Sequence, residues 1–193
     1  VRQVVWQGIV AQLNIWYNKY IIIILKSFMQ VKSNINISAL VNKEGCFDLQ
    51  FRKDTRHERT NAPTYYRWKI QFVITGPKEK RKLFEKVKNI IGCGEICITK
   101  DQARYSVQKI NDINNIVIPF FRKNQLADKK KKDFELWRKA VDIIYKNKGK
   151  YLIKWKKNDL LSLIEIQKSA VKYKNKPKQP KWIEMAQALA KTL

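Results

Sequence analysis

Apolar and polar residues alternate over residues 46–53. Phe47, Leu49 and Phe51 fall on one side, and Asp48, Gln50 and Arg52 on the other. A period of two marks a strand with one dry and one wet face. The same period returns over residues 66–75, where Trp68, Ile70, Phe72 and Ile74 oppose Arg67, Lys69, Gln71 and Thr75. Between them, residues 54–63 are polar and end Ala62-Pro63, a connection. Before the first strand, residues 35–44 are short, mostly apolar and followed by Gly45, which predicts a buried helix with a glycine cap. After the second, Pro77 opens a helix on which Leu83, Phe84, Val87, Ile90 and Ile91 recur at helical spacing, ended by Gly92-Cys93-Gly94. Two short strands follow, 95–99 and 104–108, across a turn at 100–103. Helical patterns occupy 111–123, 132–148, 158–172 and 181–192.

The predicted fold is therefore α+β, with a mixed αββαββα core and extra C-terminal helices. One curved antiparallel sheet carries helices packed on one face. Its other face presents Asp48, Gln50, Arg52, Arg67, Lys69, Gln71, Thr99, Arg104, Ser106 and Gln108, a basic and hydrogen-bonding surface. Side chains of this kind read base edges in a DNA major groove. The aromatic residues of the strands fall mostly on the dry face, which argues against a sheet that stacks RNA bases. The chain divides into a poorly specified leader over residues 1–33, a core domain over 34–172, and a linker with a last helix over 173–193. The linker carries Pro177 and Pro180 among lysines.

Composition sharpens this picture. Lysine and arginine number 41 against 16 aspartates and glutamates, a net charge of +25 in 193 residues. Such an excess calls for a polyanionic partner, and nucleic acid is the expected one. The 45% hydrophobic content supplies a core and excludes a disordered polycation. The longest apolar run, residues 21–25, is far too short to span a bilayer, and the first residues lack a signal-peptide layout. Cys46, Cys93 and Cys97 make no disulfide framework, and one histidine, His57, is too few to complete a zinc site with them. An intracellular setting is expected: a bacterial or archaeal cytoplasm, or an organelle such as a mitochondrion or chloroplast.

The stretch Ile37-Ser38-Ala39-Leu40-Val41-Asn42-Lys43-Glu44-Gly45, followed by Cys46-Phe47, resembles the motif of the LAGLIDADG homing endonucleases. Three further blocks match that family in order: Phe72-Val73-Ile74-Thr75 before the helix ending Ile91-Gly92-Cys93-Gly94; Ile118-Pro119-Phe120-Phe121; and Leu126 before the lysine run and Asp133-Phe134. The resemblance covers residues 35–150 and implies an intron-encoded, single-motif, site-specific DNA endonuclease. It would make a metal-dependent double-strand break at a long, roughly palindromic site. Glu44 is then the catalytic carboxylate and the ligand of Mg²⁺ or Mn²⁺. Lys130 is the best basic partner, with Lys129 and Lys131 as alternatives of register, and Lys80 is the second basic residue. Ser38, Ala39, Asn42 and Lys43 would line a two-fold helix contact in a homodimer on double-stranded DNA. Asn42 stands where the motif has its first acid, Lys43 where it has a small residue, and Gly76 where many members carry a polar residue. The alternative is an inactive relative, or a maturase binding intron RNA without cutting. No membrane partner is expected.

Overall fold

The computed structural model describes residues 35–57, 60–173 and 182–192. The expected leader, 1–33, and most of the expected linker lie outside them. The core begins with α1 (Ile37–Glu44), then β1 (Gly45–Thr55) and β2 (Thr64–Pro77). A short 3-10 turn (Lys78–Lys80) leads into α2 (Arg81–Ile91), followed by β3 (Glu95–Ile98) and β4 (Gln102–Val107). The remainder is helical: α3 over residues 110–123, α4 (Asp128–Lys146), α5 (Lys157–Tyr173) and α6 (Ile183–Thr192). The αββαββα order predicted from patterning holds. The strands form one antiparallel sheet in the order β1-β2-β4-β3.

Several boundaries moved, each for a physical reason. Gly45 does not cap α1 in a left-handed conformation; it is the first residue of β1, paired with Ile74. A glycine is needed because a Cβ there would lie 2.6 Å from Val41 Cγ1 and 2.7 Å from the Val41 carbonyl oxygen. Gly92, by contrast, does cap α2. It sits at φ 90° and its N–H donates to the Lys88 carbonyl oxygen. Pro77 closes β2 rather than opening α2, its lost N–H costing nothing at a strand end. Expected strands 95–99 and 104–108 shift because the turn is tighter and earlier. Thr99 donates its N–H to the Gln102 carbonyl oxygen at 2.8 Å, so Gln102 and Ala103 belong to β4. Helix α3 contains a π turn, Ile113–Val117, immediately before Ile118-Pro119. Pro119 has no N–H and its ring crowds the preceding turn, so a widened turn is the natural accommodation.

The blocks that carry the family resemblance meet in space. Phe47, 3% exposed, lies with ring centroids 5.3 Å from Phe72, 5.6 Å from Phe121, 5.3 Å from Phe134 and 5.1 Å from Trp137. The Phe after the motif, the Phe before α2, the Pro-Phe-Phe block and the Asp-Phe block are therefore one aromatic core. Losing one such ring costs about 3–5 kcal/mol. Trp137 also donates its indole N–H to the Asp48 carbonyl oxygen at 3.1 Å, pinning α4 beneath β1. Among the described residues, no helix is long and apolar enough to cross a membrane.

Candidate active site and nucleic-acid interface

Helix α1 is held by Ile37 and Val41, both buried in the core, while Ala39 and Lys43 lie exposed one turn apart. Glu44 ends the helix. Its Oε1 accepts from the Lys80 ammonium, and its Oε2 is buried without a hydrogen-bond partner. Gly76 borders the pair: a Cβ on it would lie 2.9 Å from Lys80 Cδ and 3.3 Å from Glu44 Oε2. The glycine therefore leaves open the space in front of the orphan oxygen. Lys130 reaches the same point from α4, donating to the Gly45 carbonyl oxygen at 2.8 Å. Lys129 and Lys131 are exposed, so helical phase separates one lysine from its neighbours in the run. Glu44, Lys80 and Lys130, from three distant parts of the chain, thus converge on the C-terminal end of α1.

The residues expected at a helix contact divide. Lys43 and Ala39 lie on the exposed side of α1, and Ser38 is half-buried. Asn42 is engaged within the chain: its Oδ1 accepts the Ala127 N–H at 3.0 Å, fixing the approach to α4. A short amide at the helix end can satisfy that backbone donor.

The open face of the sheet carries the predicted residues at the predicted parity. Gln50, Arg52, Arg67 and Arg104 are exposed and Asp48 and Lys69 are half-buried. Gln71 and Ser106 differ from expectation, being 6% and 8% exposed. Gln71 donates to Asp48 Oδ2 at 2.8 Å and accepts from Arg104 Nη2 at 3.1 Å. Ser106 Oγ accepts weakly from Gln108 at 3.4 Å. Thr99 closes the β3–β4 turn, its hydroxyl donating to the Gln102 carbonyl oxygen. Asp54, absent from the predicted set, accepts from Arg67 and lies 3.9 Å from Arg52. Extending the alternation of β1 by one more pair would have placed it on this face. Four cations crowd here, and Lys69 holds its proton less tightly than usual. Burial is the main cause, followed by repulsion from Arg52, Arg104 and Arg67, with Asp54 opposing.

Burial, with the Asp112 charge adding to it, pushes the Cys93 thiol up to about 11, so it is a poor thiolate. Among the described residues no group of three or more His, Cys, Asp or Glu side chains could hold a metal ion.

Fold and site together define an αββαββα protein whose motif helix delivers a carboxylate to the edge of a basic sheet. A family model described as LAGLIDADG endonuclease matches residues 37–141, more than half of the chain, and the chain belongs to that family. It is 31% identical over 110 residues to the probable intron-encoded endonuclease 3 of Neurospora crassa. That match takes in 56% of this chain but 20% of the relative, so the chain spans about one fifth of that protein's length. Among solved structures it is similar to I-SmaMI bound to an uncleaved DNA target in the presence of calcium ions. The TM-score is 0.61 at 18% identity, over 78% of this chain and 47% of that one. The homing endonuclease I-TnaI gives 0.56 at 19% identity, over 81% and 94%. I-LtrWI bound to target DNA gives 0.55 at 24% identity, over 69% and 43%. At these identities the likeness establishes the fold.

Proposed function

We propose that the chain is a homing endonuclease: a site-specific DNA endonuclease that makes a metal-dependent double-strand break at a long, roughly palindromic site. The observation that carries this reading is Glu44, placed beside Lys80 with one buried oxygen unsatisfied, at the edge of a sheet face bearing Arg52, Arg67, Lys69 and Arg104. A buried carboxylate oxygen without a donor is costly unless a cation completes it. The donor chemistry fits Mg²⁺ or Mn²⁺, which prefer oxygen ligands and commonly take one or two carboxylates together with phosphate. Glu44 would supply the protein ligand, the phosphate further oxygens, and a second copy of α1 another Glu44. When bound, the metal polarises the phosphate and lowers the pKa of a bound water.

The chain's own groups perform the rest. The open sheet face holds the duplex in register through phosphate contacts and reads base edges. Lys80 holds the Glu44 carboxylate in one orientation, and its remaining N–H groups can meet a phosphate oxygen. Lys130, anchored on the Gly45 carbonyl, places a second ammonium where charge develops on the leaving oxygen. Two copies meeting through the exposed side of α1 would cut both strands and would match a two-fold site. The test is a cleavage-site search: genomic or randomised DNA is incubated with the protein and Mg²⁺, and its ends are sequenced. Breaks at one recurrent site are expected. DNA bound tightly but left intact would instead fit a relative that does not cut.

The cationic face also makes a quantitative prediction. Lys69→Met keeps the side chain's length and removes one charge from the crowd around it. The DNA-free variant is expected to melt at a higher temperature. In the parent, the folded state binds the Lys69 proton more weakly than the unfolded state, so stability rises with pH from the lowered value toward the ordinary 10.5. The variant lacks that rise. Its DNA affinity falls, and the slope of log affinity against log salt becomes shallower by about 0.9, one phosphate contact fewer. An unchanged salt slope with a lower melting temperature would make Lys69 a packing residue.

A further inference from the structure

Gln71 sits on the open face of the central strand yet is 6% exposed, and both ends of its amide are engaged. A side chain so enclosed cannot reach a base. Its neighbours can. Asp48, directly opposite on β1, gives Gln71 one carboxylate oxygen and keeps a second. Arg104 pairs with Thr75, four residues along β2 from Gln71, so its guanidinium lies back across the Val73–Ser106 row to reach the amide. Arg104 spends one N–H on Gln71, and the other guanidinium N–H groups of this exposed residue stay on the open face.

We propose that Gln71 is a positioning residue that locks Asp48 and Arg104 into one reading unit, in which Arg104 recognises a guanine and Asp48 a cytosine. The inference rests on the DNA-binding reading above. Chemistry assigns the bases. Arginine donates to O6 and N7 of guanine, and a carboxylate accepts from N4 of cytosine. Only a donor–acceptor group can stand between a carboxylate and a guanidinium and orient both. Gln71 does so with its N–H toward Asp48 and its oxygen toward Arg104. The unit spans β1, β2 and β4, so the two bases it reads are separate positions of the site. The bound rotamers exist before DNA arrives, which removes the ordering cost that a free arginine would carry.

The test is binding selection with the full chain, without divalent cation, from duplex DNA containing a randomised window. The parent is expected to enrich guanine at one position and cytosine at another. Arg104→Ala loses the guanine preference alone, and Asp48→Ala the cytosine preference alone. Gln71→Leu weakens both, each by about 5- to 150-fold, the range expected for one good base contact. Gln71→Glu is the decisive variant. It keeps an oxygen for Arg104 but turns a second carboxylate toward Asp48, so guanine survives and cytosine is lost. A purely structural role would lower both together in that variant and would overturn the proposal. So would undiminished preferences in Gln71→Leu. If Gln71→Leu fails to bind even at low salt, it has not folded, and Gln71→Glu alone decides. A parent that enriches no sequence removes the DNA-reading function itself. A parent with a clear site that ignores Gln71 removes only the reading unit.

Discussion

Glu44→Gln is expected to abolish cleavage while leaving DNA binding intact or tighter. Glutamine has the same reach, and its oxygen can still accept from Lys80. What changes is the atom in the place of the buried, unpartnered Oε2. A neutral amide binds a hard cation far more weakly than a carboxylate does. Metal stabilisation of a phosphoryl transition state is worth several kcal/mol, and each 1.36 kcal/mol is tenfold in rate, so a loss of about 10³-fold is expected. Affinity moves the other way, because the substitution removes a negative charge from a surface that meets phosphates. Without divalent cation, retention of labelled duplex by the variant should equal or exceed that of the parent. Plasmid linearisation in Mg²⁺ reads the other half. Cleavage by the variant at the parental rate would remove Glu44 from the chemistry, and the end of α1 would no longer be the centre of the site.

The elements that shape this site differ in how well they can be read from the chain. The two long strands were legible because each buries one face, so alternation reports register as well as type. Parity alone put Arg67, Lys69 and Arg104 on the open face. It could not report that Gln71 is enclosed there, because its amide is bound by Arg104, reaching over from a strand that is not its sequence neighbour. Asn42 shows the same limit: its partner, Ala127, lies 85 residues away. The lysine run was ambiguous for another reason. Four equal side chains in a row carry no phase, and only the start of α4 at Asp128 turns Lys130 toward Gly45. The role proposed for Glu44 leans on the ordered family blocks, since an acid before a glycine is common at any helix end. Those blocks are informative because they touch: Phe47, Phe72, Phe121 and Phe134 are one cluster.

Gly45→Ala is expected to cost both stability and activity, and more stability than Gly76→Ala. The two glycines flank the same carboxylate but are constrained differently. At position 45 a methyl would stand 2.6 Å from Val41 Cγ1, 2.7 Å from the Val41 carbonyl oxygen and 2.8 Å from Val41 Cα. Val41 is completely buried, and two of those atoms are backbone, so neither side can yield without moving α1 against β1. Overpacking of this kind costs about 1–3 kcal/mol. For a domain of this size that is a fall in Tm of about 2–12 °C. The displaced element carries Glu44 at its end, and the Gly45 carbonyl is the anchor of Lys130. A misplacement of about 1 Å in a catalytic group costs about 10²-fold in rate. At position 76 the tight neighbour is Lys80 Cδ at 2.9 Å, part of a flexible chain that can swing aside. Gly76→Ala should therefore melt close to the parent, and lose activity as far as its methyl displaces Lys80 from Glu44 and intrudes on the space before Glu44 Oε2, 3.3 Å away. Thermal melts and linearisation rates of the two variants, measured side by side, decide it. If Gly45→Ala melts with the parent and cuts as fast, α1 and β1 do not approach as closely as this fold requires, and the geometry that presents Glu44 must be redrawn.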